Sequence, residues 1–157
     1  DDYTEKMTPY IAEWKKLGLQ FDGICSGFLG SKEQIRIVQQ FFQDFKTEEN
    51  CIIVGRCADY ALKDDPGLIS IFIKANMDAK IKRIMRIYDY TESKARDTII
   101  KTDKKRASYY NFYSNKKWAD SRSYDLCIDS SELGIDNTVK FLKSYIETRL
   151  TTPKGTI

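Results

Sequence analysis

Apolar residues recur at helical spacing along most of this chain, and short continuous apolar runs interrupt them. Ile35, Val38, Phe41, Phe42 and Phe45 fall on one face of a helix over about Lys32–Lys46. Ser31 followed by Gln34 matches a capping box at its start. Ahead of it, Ile11, Trp14 and Leu17 predict a helix within Tyr3–Leu19 that stops at Gly18, and Phe21–Gly30 reads as loop. The run Cys51–Val54 reads as a buried strand ending at Gly55-Arg56. A short helix near Ala58–Lys63 and a turn at Asp65-Pro66-Gly67 lead to a second strand, Leu68–Lys74. Asp78 opens a helix with Ile81, Ile84, Met85 and Tyr88 inward, and Thr91-Glu92 begins another that runs to about Tyr113. Tyr124–Asp129 makes a third strand. Ile135–Leu150 closes the pattern as an amphipathic helix through Val139, Leu142, Tyr145 and Ile146.

Buried strands separated by helices pair in parallel and take helices on both faces. The predicted class is therefore α/β, a three-layer parallel sheet. A length of 157 residues suits one domain, over 1–150, with 1–50 a helical region, 51–90 the sheet core, 91–123 a basic segment and 124–150 the last strand and helix. Residues 151–157 read as a frayed tail.

Charge changes this picture locally. Lys+Arg number 26 and Asp+Glu 23, a net +3, too small for attraction to nucleic acid to follow from net charge. Between Lys94 and Trp118, however, eight Lys/Arg face two Asp, so this segment carries the excess of positive charge. Cys25, Cys51, Cys57 and Cys127 form no C-x-x-C pair and read as buried thiols in a reducing cytoplasm. No apolar run approaches the roughly 20 residues that span a bilayer, so a soluble protein is expected. There is no histidine, which excludes serine–histidine chemistry and removes the commonest metal ligand. Phosphoryl transfer survives, because it rests on positioning and cations.

The candidate chemistry lies at two places. Gly55-Arg56 puts a guanidinium at the carboxyl end of a strand, where open α/β folds bind ligands, and arginine there suits an anion; the bland reading is a surface arginine, paired with Asp59 or not. In the basic segment, Ile99, Asp103, Arg106 and Tyr110 lie along one helical face, so a carboxylate and a guanidinium project side by side. The bland reading is a solvated pair worth a few tenths of a kcal/mol. A nucleic-acid surface is an alternative, with Lys101, Lys104, Lys105 and Arg106 on phosphates and Tyr109, Tyr110, Phe112, Tyr113 and Trp118 stacking on bases. Gly27–Lys32, GFLGSK, departs from the phosphate-loop pattern G-x-x-x-x-G-K-[ST] and reads as a helix cap.

Taken together, VGRCADY, ISIFIKANMDAKIKRIM, KTDKKRASYYNFYSNKKW and YDLCIDSSELGID resemble the cytidylate kinase-like family of P-loop nucleoside monophosphate kinases over roughly Ser31–Tyr145. The resemblance implies a P-loop kinase fold with a helical lid over 91–123, and phosphoryl transfer from ATP, with Mg²⁺, to CMP, dCMP or a related pyrimidine nucleotide. It implies Arg56 on the acceptor phosphate, Arg106 closing over the phosphates, and Asp103 on the acceptor sugar or base. Gly55, Asp59, Lys101, Lys105 and Tyr110 complete the implied binding set, and no residue is assigned to a metal. Two departures stand out. Ile99 occupies the place where an arginine is expected one turn before the aspartate, leaving Lys101 as its substitute, and no strand with a Gly-rich loop is evident before Ser31. With Met7 the first methionine, the expectation is a kinase lacking its donor-phosphate loop in this chain, which by itself does not turn over. The competing reading is a catalytically inactive nucleotide-binding or regulatory module. Expected partners are nucleotides, with no membrane and no nucleic acid.

Overall fold

The computed structural model describes residues 3–20, 23–25, 31–45, 52–55 and 57–152. In chain order the elements are α1 (Thr4–Lys16), β1 (Gly23–Cys25), α2 (Lys32–Asp44), β2 (Ile52–Val54), α3 (Ala58–Ala61), β3 (Ile71–Lys74), α4 (Met77–Tyr88), α5 (Glu92–Ser114), β4 (Leu126–Asp129) and α6 (Ser130–Thr151), with a 3-10 turn at Ser121–Ser123. The chain is mixed α/β and mostly helical, and its described strands pair in parallel as β1–β2 and β3–β4. It divides into two compact units, Asp1–Leu68 with Phe112–Asn115, and Ile69–Asn111 with Lys116–Ile157.

In the first unit the apolar stripe of α2 behaves as its spacing predicts. Phe41 and Phe45 are buried, packed against Ile11 and Trp14 of α1, Val38, Ile53 of β2, Ala58 and Leu62. The Trp14 and Phe41 ring centroids are 5.7 Å apart and those of Phe41 and Phe45 4.7 Å, within the range of favourable aromatic pairs. Ser31 caps α2 by accepting from the Gln34 backbone N–H at 3.1 Å. The Gln34 side chain donates to Thr4 Oγ1 on α1 at 2.8 Å. Lys15 and Asp44 add an ion pair between the same two helices. The stop at Gly18 forms as expected, with φ +62, a conformation glycine adopts without steric cost.

Two expectations for this unit are corrected. Gly23–Cys25 is a strand, not loop, in register with Ile52–Val54. Three residues are too few to display a period, and only the parallel partner makes them a strand. The run Cys51–Val54 was expected to be buried, yet Ile52 is 70% and Val54 61% exposed. Alternate side chains of a strand point to opposite faces, and of the described residues of this run it is Ile53 that packs on the Phe41–Phe45 cluster.

In the second unit Ile81 of α4 and Ala95 and Ile99 of α5 form the buried centre, with Met77, Ile84, Met85 and Tyr90 around them. Tyr88, expected inward, is exposed and stacks on Tyr90 at 5.5 Å. Phe72 of β3 meets Trp118 edge-on at 5.5 Å and Tyr124 at 5.0 Å, and Tyr110 stacks on Tyr124 at 6.2 Å. The strand pair is tied at its start by Ser70, whose N–H and Oγ donate to Asp125 Oδ2 at 2.7 and 3.0 Å.

Helix α6 starts earlier than its hydrophobic pattern suggests and is broken at Gly134 (φ 71, ψ 170). Val139, expected inward, is exposed, and Thr138 is buried instead, its hydroxyl satisfied by donating to the Gly134 carbonyl at 2.6 Å. Helix α4 opens one residue before Asp78, with Asn76 Oδ1 accepting from Ala79 N–H at 2.9 Å. Asn76→Ala is expected to cost about 1 kcal/mol, read as a lower urea midpoint with an unchanged slope.

Candidate functional site

Parallel strands deliver their carboxyl ends to one edge, and ligands of α/β folds bind along it. In the first unit Cys25 pairs with Val54, so β1 and β2 end level. Gly55 follows immediately and is exposed, Cys57 takes a left-handed conformation (φ 63), and Asp59 is half-buried in the first turn of α3. The chain bends at Gly55. Arg56, expected on a phosphate, lies outside the described residues.

The level ends also correct the expectation that no strand precedes Ser31. The order here is strand β1 and then the Ser-capped helix α2. Residues 26–30 themselves lie outside the described residues.

In the second unit the expected Asp103–Arg106 pair forms, Arg106 Nη1 donating to Asp103 Oδ1 at 2.8 Å. Lys80 of α4, which the pattern did not single out, donates to the other oxygen, Oδ2, at 2.7 Å. The Asp103 side chain is 21% exposed. Partial burial pushes its carboxyl up, and the hydrogen bonds from Lys80 and Arg106 outweigh that and hold it below its ordinary value. Lys101 and Lys105 are exposed on the same helix. Tyr110 is only 3% exposed and belongs to the aromatic cluster with Tyr124.

The carboxyl ends of β3 and β4 carry a second polar group. Lys74 pairs with Asp129 at 3.9 Å. Asp129 Oδ1 accepts from the Ser131 N–H at 3.0 Å and from its hydroxyl. Ser131 Oγ in turn accepts from the Asn76 N–H at 2.9 Å, and Ser130 Oγ donates to the Lys74 carbonyl at 3.0 Å. The Ser131 hydrogen bonds hold the Asp129 carboxyl below its ordinary value, with Lys74 and Lys80 adding to the effect. Here Asp129 and Ser131 stitch the starts of α4 and α6 to the sheet edge. A signal for Lys80 existed in the sequence: it lies one turn before Ile84, on the flank of the buried stripe, where a long cation keeps its stem dry and its head at a polar partner.

The interleaved aromatics do not form an open stacking surface. Tyr109 and Tyr110 are buried and Trp118 packs on Phe72, which removes three of the five rings that a nucleic-acid surface would use. Among the described residues, no three His, Cys, Asp or Glu side chains are placed to hold a metal ion. Mg²⁺ in phosphoryl transfer is bound largely through substrate phosphates, with few protein ligands. Among the described residues, no helix is long and apolar enough to cross a membrane.

Comparison with known proteins places the chain in a family. A protein of Sulfurisphaera tokodaii described as a cytidylate kinase is 24% identical over 111 residues, covering 71% of this chain and 61% of that protein; the chain thus spans less than two thirds of that relative's length. The crystal structure of an uncharacterized protein from Eubacterium ventriosum superposes with a TM-score of 0.70 at 26% identity, over 92% of this chain and 91% of the other. The sequence profile of the cytidylate kinase-like family matches residues 18–132, a span that contains β1, the Gly55-Arg56 dipeptide, Lys80, Asp103 and Arg106. The chain belongs to the cytidylate kinase-like family.

Proposed function

We propose that this chain is the working part of a nucleoside monophosphate kinase that transfers a phosphoryl group from ATP, with Mg²⁺, to CMP, dCMP or a related pyrimidine nucleotide. The observation that carries the reading is the Asp103–Arg106 pair at 2.8 Å on a helix with an excess of positive charge, in a chain of this family. A donor γ-phosphoryl and an acceptor phosphate repel one another, and cations delivered together offset that repulsion while water is excluded. In this reading α5 is the lid of a three-layer P-loop fold within one kinase-like domain over 1–150. Arg106 closes on the phosphates, Asp103 meets the acceptor sugar or base, and Arg56 holds the acceptor phosphate beside Gly55 and Asp59. Lys101 and Lys105 raise the local potential, and Tyr110, stacked on Tyr124, completes the binding set. The order of strand β1 followed by the Ser-capped α2 supports this reading, since P-loop proteins use a strand-then-helix order around donor phosphates.

Calorimetric titration of the full-length protein with CMP, dCMP, UMP and AMP tests the reading. Binding of a pyrimidine monophosphate in preference to AMP is expected, and no binding of any of the four refutes it. A second reading, a nucleotide-binding module without catalysis, is favoured by one observation: Gly27–Lys32, GFLGSK, lacks the full phosphate-loop pattern. That reading predicts normal CMP binding with no ATP binding in the same titration.

A further inference from the structure

Lys80 meets a charged group that lies far from it in sequence. Its ammonium sits 2.7 Å from Asp103 Oδ2, while Asp103 Oδ1 takes Arg106 at 2.8 Å. Each oxygen of one carboxylate thus has its own cation, one from α4 and one from α5. Asp129, at the carboxyl edge of β3–β4, pairs separately with Lys74 at 3.9 Å. Lys80, Asp103 and Arg106 therefore alternate in charge from α4 to α5. A carboxylate paired only with Arg106 would follow that arginine through its rotamers, as pairs on solvated helices do. Tied to α4 as well, it becomes a fixed acceptor, and a fixed acceptor aims the guanidinium before any anion arrives.

We propose that Lys80 is a positioning residue for the basic helix: it fixes the Asp103 carboxylate against α4 so that Arg106 is held ready for a nucleotide phosphate. This rests on the reading of Arg106 as a phosphate contact. Nothing in the proposed reaction touches Lys80 itself.

Lys80→Gln and Lys80→Arg in the full-length protein test it with two readouts. The first needs no nucleotide: the Asp103 side-chain carboxyl is titrated by NMR. The charged groups facing it are Arg106 on its own helix and Lys80 on α4. Lys80→Gln raises the midpoint and Lys80→Arg restores it. An unchanged midpoint in Lys80→Gln overturns the proposal whatever the protein's activity. The second readout is steady-state kinetics with CMP. Lys80→Gln lowers kcat/KM about tenfold or more and Lys80→Arg recovers most of it, whereas a merely structural lysine would change the melting temperature and leave KM alone. Asp103→Asn guards against a misfolded Lys80→Gln. It must lower kcat/KM at least as far, and adding Lys80→Gln to it must bring no further loss; independent, additive losses overturn the proposal. If the wild-type protein binds none of CMP, dCMP, UMP and AMP, the kinase reading falls and the titration alone decides whether Lys80 fixes Asp103.

Discussion

Arg106→Ala is expected to lower kcat/KM for phosphoryl transfer by about 10²- to 10³-fold, the loss typical of removing one preorganised donor from a developing charge. Arg56→Ala is expected to lose as much, through the acceptor phosphate. Folding should survive the first change, because the Arg106 side chain is 46% exposed and surface substitutions of this kind usually lie within about 0.5 kcal/mol. A coupled assay for ADP release measures the first effect and thermal unfolding the second. Full turnover in either variant would remove that arginine from the site. Loss of activity accompanied by a collapse in melting temperature would instead make Arg106 a structural residue, held by Asp103 for the sake of the helix.

Ile99 is the second place where a large effect is expected. The family resemblance puts an arginine there, and the chemistry of a nucleotide site would welcome one. The structure explains why this chain does otherwise: Ile99 is 6% exposed and packs with Ile81 and Ala95 at the centre of the α4–α5 contact. Ile99→Ala should cost about 2–4 kcal/mol through lost burial and a residual cavity, a fall in melting temperature of roughly 6–12 °C for a chain of this size. Ile99→Arg should cost more, since the guanidinium adds desolvation to the lost packing. Calorimetric unfolding of both variants checks this. An Ile99→Arg protein that melts like the wild type would show that the α4–α5 contact is not closed at this point.

Much of the architecture can be read from local rules. The helix from Lys32 follows from Ile35, Phe41 and Phe45, all of them buried, and its start follows from Ser31. The Asp103–Arg106 pair follows from their spacing on one helix. Three expectations failed for one reason. Gly23–Cys25 became a strand, Val54 became exposed and Thr138 displaced Val139 because pairing and burial depend on what another segment supplies.

Local spacing in the chain was enough to place α2, α4 and α5, to locate the positive charge on α5 and to set Asp103 beside Arg106, since each involves residues within one or two helical turns. Tertiary packing alone brought Lys80 to Asp103, 23 residues away, set the Asn76 N–H against Ser131, 55 residues away, and levelled the ends of β1 and β2. Those meetings join separate elements, and no period in a sequence records which elements will touch.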